Sequence, residues 1–82
     1  MKLYLLTQDE NSGDGTVSSC VVVANSEDEA REIHPFGDWD RVEVWAWHSE
    51  CVHVSYLGDA RDDLEKVGFA TNVQNVVCME MA

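Results

Sequence analysis

Positive charge is scarce in this sequence. Five lysines and arginines stand against sixteen aspartates and glutamates, a formal charge of −11. Such an imbalance repels phosphate backbones and anionic lipid surfaces, so neither direct nucleic-acid binding nor membrane binding is expected. The deficit is spread through the chain rather than gathered in a tail: residues 1–41 carry nine acids and three bases, residues 42–82 seven and two. Long apolar runs are also missing. The longest, Leu3–Leu6 and Val21–Ala24, are far too short to cross a bilayer. Lys2 precedes only a brief apolar stretch that soon meets polar residues, so no secretory leader is expected and the chain reads as cytosolic. Three cysteines, Cys20, Cys51 and Cys78, lie far apart with no C-x-x-C pair, which argues for free thiols rather than a disulfide framework. No G-x-S-x-G elbow, H-E-x-x-H pair or phosphate-binding glycine loop occurs, so no catalytic residues are assigned and an enzyme is not expected.

What is present suits one small folded domain over residues 1–82. Hydrophobic residues make up 45% of the chain and fall in patterned runs, which sets it apart from disordered acidic sequences. Lys2–Thr7 reads as a strand buried on both faces, and Val17–Ala24, rich in β-branched residues, as a second. The polar, glycine-bearing stretch between them suits an antiparallel hairpin. Ser26 three residues before Glu29 is a capping box, and acids fill the first turn that follows. A helix is therefore expected from about Glu27 to His34, stopped by Pro35, with Ala30 and Ile33 facing the sheet. Arg41–Trp47 and Cys51–Leu57 both alternate and read as strands. One helical turn near Leu64 and a weak strand within Val67–Val77 complete the reading. The expected fold is α+β: a small two-layer sandwich with an antiparallel or mixed sheet of four to five strands, in the order β-β-α-β-β, and one short helix packed on it.

Three groups of side chains could carry function. His48, Cys51 and His53 form H-x-x-C-x-H, a partial zinc set, but a closed site needs a fourth donor that the spacing does not supply. No metal or other cofactor is assigned. Trp39 follows a Gly-Asp turn and suits a core plug. Trp45 and Trp47 alternate with Val44 and Ala46, which allows either of two outcomes. They stand outside beside Glu43 as an aromatic anchor in a charged rim, or the register is reversed and they fill the core. The third group is acidic. Asp28, Glu29 and Glu32, with Glu27, set carboxylates about 5–6 Å apart on the helix. Asp38, Asp40 and Glu43 extend that array, as do Asp59, Asp62, Asp63 and Glu65. A carboxylate array can compete for a groove lined with lysine and arginine, and it can also serve solubility alone.

The opening Met-Lys-Leu-Tyr-Leu-Leu-Thr-Gln, the block Ser-Glu-Asp-Glu-Ala-Arg-Glu-Ile-His-Pro, Gly-Asp-Trp and Tyr-Leu-Gly-Asp-Ala together resemble a family of short acidic proteins encoded by bacteriophages and prophages. The resemblance covers roughly residues 1–66 and implies no active site. It implies context: an inhibitor of host machinery in the bacterial cytoplasm, a class that includes anti-CRISPR proteins and DNA mimics. On this reading the partner is a protein with a basic surface, a nucleic-acid-handling host complex such as a CRISPR effector. Asp28, Glu29, Glu32, Asp38, Asp40 and Glu43 supply charge, and Trp45 or Trp47 the anchor. Two other readings stand beside it: a small zinc- or thiol-bearing protein, and a homodimeric accessory protein with no foreign partner.

Overall fold

The computed structural model describes residues 1–60 and 75–81. Strands β1 (Lys2–Thr7) and β2 (Val17–Ala24) have the bounds expected from their apolar runs. They pair antiparallel, with Leu5 opposite Val21 and Leu6 opposite Cys20. The loop joining them is held from inside. The buried Gln8 amide donates to the carbonyls of Asn11 (2.7 Å) and Val17 (3.1 Å), while its Oε1 accepts the amides of Glu10 and Asn11. Gly15, at φ 86°, takes the left-handed step before Thr16 that a side chain would resist.

Helix α1 (Glu27–Arg31) starts as expected: Ser26 Oγ accepts the Glu29 amide at 3.2 Å. It ends sooner than His34. The amides of Glu32 and Ile33 bond back three residues, to the carbonyls of Glu29 and Ala30, so the last turn tightens. Pro35 keeps His34 out of helical geometry, and the chain leaves through a turn closed by Gly37 N–H to the His34 carbonyl. Ala30 is fully buried and Ile33 packs against the core, the inward face anticipated.

The expected strand at Arg41–Trp47 does not form. Val42–Val44 is a 3-10 turn, and a second one spans Ser49–Cys51. The cause is local. Asp38 Oδ1 accepts the Asp40 amide at 2.9 Å and the Asp38 carbonyl accepts the Arg41 amide at 3.1 Å, a turn that commits the backbone before a ladder can start. Trp45 and Ala46 then both turn inward, which period-2 geometry forbids to neighbours in a strand.

Strand β3 (His53–Asp59) forms where the Cys51–Leu57 run was expected, starting and ending two residues later. The expected alternation is lost where Ser55, Tyr56 and Leu57 are all exposed and the register with β1 shifts at Leu57. The next described strand is β4 (Val76–Met81). The helical turn expected near Leu64, the acids Asp62, Asp63 and Glu65, and all but the end of the Val67–Val77 run lie outside the described residues.

The four strands form one antiparallel sheet in the order β3-β1-β2-β4. The fold is α+β, with one short helix over this sheet. Tyr4, Leu6, Cys20, Val22 and Ala24 form its covered side, with Ala30, Trp45, Ala46, Val52 and Val76 packed onto them. Lys2–Thr7 is therefore closed on one face only: Tyr4 and Leu6 are buried, whereas Leu3 and Leu5 on the other side are partly exposed. Among the described residues no helix is long and apolar enough to cross a membrane.

Candidate protein-binding surface

The two tryptophans of the Arg41–Trp47 segment part company. Trp45 is fully buried and is the largest of the enclosed side chains, so it is no anchor for a partner; the 3-10 turn drives it over the sheet as a core plug. Trp47 is 52% exposed, one of the few large apolar groups left outside. Trp39 is partly buried against the core, and its indole N–H donates to the Glu32 carbonyl at 2.8 Å, capping the end of α1.

Trp47 is held by an acid that the sequence reading passed over. Glu10, in the β1–β2 loop, accepts the Trp47 amide at 3.1 Å. The same carboxylate lies close enough to Cys51 to push its thiol pKa up. Beside it Asn11 Nδ2 donates to the carbonyls of Val42 (3.0 Å) and Trp45 (3.4 Å), fixing the segment onto the loop. Val42 is exposed there too. Only the spacing of the hairpin loop could have hinted at this, since Asp9, Glu10 and Asn11 look like ordinary turn residues.

All six expected acids are exposed: Asp28, Glu29, Glu32, Asp38, Asp40 and Glu43. Their surroundings differ. Arg31 lies 3.6 Å from Glu27 and 3.8 Å from Asp28, and Arg41 lies 3.5 Å from Glu43, so part of the array is locally compensated. These exposed pairs each contribute little to stability. Glu32 accepts the Ser49 hydroxyl at 3.0 Å, which brings the end of α1 beside the Trp47–Cys51 turn. The structure thus links Glu32 to the Trp47 side, and adds Asp9, Glu10 and Glu50, whose charges reach Cys51.

The H-x-x-C-x-H residues do not converge. His53 faces Asp9 at 3.8 Å, Cys51 faces Glu10, and among the described residues no group of three or more potential ligands could hold a metal ion. Burial pushes the Cys20 pKa up to about 12, and all three cysteines are free. Comparison with known proteins gave no match to a family model, a curated protein or a solved structure.

Proposed function

We propose that this domain is a phage-type inhibitor that binds a basic, nucleic-acid-handling host protein and occludes its nucleic-acid groove. CRISPR effector complexes are the partner class that the sequence resemblance suggests. The observation that carries the reading is the exposed Trp47, its amide held by Glu10, on a chain of charge −11, with Glu32 bonded to Ser49 two residues on and Asp9 and Glu50 near Cys51. An aromatic anchor within an acidic rim suits a surface of arginine and lysine: the indole takes cation–π and apolar contacts, and the carboxylates take the charge. Because the target groove normally holds phosphates, binding there competes with nucleic acid and weakens as salt rises.

Affinity capture from bacterial lysates tests this. The expected catch is a nucleic-acid-binding complex that elutes when salt is raised or when duplex DNA is added. A catch that resists both salt and DNA contradicts it.

A further inference from the structure

The outer edge of β3 begins six residues after Trp47. β3 closes one side of the sheet, bonded to β1 alone, and its outward backbone groups have no partner among the described residues. Unpaired strand edges template the addition of another strand. From His53 to Tyr56 the register with β1 is unbroken, which leaves a regular row of outward N–H and C=O groups. The register shifts at Leu57, and Gly58, at φ 149°, ends the run. The opposite edge, β4, is less suited, because its pairing with β2 shifts register twice within six residues.

Before the shift at Leu57, β3 has little of the usual protection of an edge. It has no lysine and no proline, and Tyr56 and Leu57 are 58% and 53% exposed. Tyr56 is held upright by an edge contact with Tyr4 (5.9 Å between ring centres) and by donating its hydroxyl to Asp59 at 2.9 Å. Acids flank the edge. Asp9 faces His53 and Glu10 and Glu50 lie around Cys51 at its start, and Asp59 closes its end. Among the described cations, Lys2 stands in register opposite Asp59, and Arg31 donates to the Val52 carbonyl and lies beside Glu27 and Asp28. A second copy of the chain would bring another charge of −11 to this edge, so a foreign, basic strand is favoured.

We infer that the β3 edge takes an extended, arginine- or lysine-rich segment of a partner protein as a fifth strand, with Trp47 beside its path. This rests on the acidic-surface reading above and names what that surface grips. Main-chain bonds supply part of the affinity and the flanking acids select the charge. Glu10, which accepts the Trp47 amide and lies near Cys51, joins the anchor to the start of the strand.

The test titrates the isotope-labelled full chain with two peptides of alternating arginine and valine. They carry equal charge, and one is N-methylated at every residue so that neither of its edges can donate. Strand addition predicts that the amide signals of His53–Leu57 shift, and that the unmethylated peptide binds at least about tenfold tighter. Equal, salt-sensitive binding of both peptides, with shifts spread over the acids, overturns strand addition and leaves the acidic-surface reading standing. A preference for the unmethylated peptide that ignores salt overturns the basic partner instead, and binding by neither peptide overturns the inference.

Discussion

Trp45 and Trp47 are two residues apart, yet they take opposite parts, one enclosed under the loop and one open to solvent. Removing Trp45 leaves a cavity over the sheet, so Trp45→Ala is expected to cost about 3–5 kcal/mol. Trp47→Ala is expected to change stability by no more than about 0.5 kcal/mol. Urea unfolding of the two variants checks the contrast, and equal losses would contradict the placement. His34 offers a second residue-scale test. It is 2% exposed; its Nδ1 accepts the Phe36 amide at 3.0 Å, so its Nε2, 3.1 Å from the Arg41 carbonyl, carries the proton. Burial lowers its pKa below 6.5. The Arg41 carbonyl and the charges of Asp38 and Glu43 pull it back up, and the Arg41 charge pulls it down. A histidine with a lowered folded pKa takes up its proton more readily when unfolded. Its contribution to stability is therefore complete above pH 6.5 and is lost as pH falls from there through the lowered value. Unfolding midpoints should drop across that window in the native chain and drop less in His34→Asn. An equal drop in both would assign the effect to other groups.

At the scale of elements, the sequence was most legible where one physical cause dominated. β1 and β2 are unbroken apolar runs bounded by turn residues, and their ends fell where the runs end. The start of α1 was legible because Ser26 caps a donor that would otherwise be unpaired. Its end was not, because the tightening at Glu32 and Ile33 depends on how Pro35 and His34 settle afterwards. Ser26→Ala should cost about 1 kcal/mol, a large share of the support for a five-residue helix. Denaturant titration checks this, and a change lost in the error would mean that packing of Ala30 alone holds the helix. The Arg41–Trp47 run shows why alternation misleads: two valines and an alanine at even spacing match a strand, but the Asp38 turn decides the backbone first. The exposure of the six acids was legible from charge, whereas the place of Glu10 was not. Its role depends on Trp47 and Cys51 folding back onto the hairpin loop, a contact between positions far apart in the chain.

For the whole molecule, the described residues give the sheet one covered side and one open edge at β3, on a strongly negative chain. Charge of this size favours solubility and fast association with a basic partner, and an exposed indole adds an anchor that charge alone lacks. The most direct measurement of this account is the dissociation constant of the captured partner for the native chain and for Trp47→Ala, at low and at high salt. The account predicts that log affinity falls steadily with log salt for both proteins, and that Trp47→Ala binds about tenfold or more weakly at every salt concentration. An affinity indifferent to salt and unchanged by Trp47→Ala would contradict it.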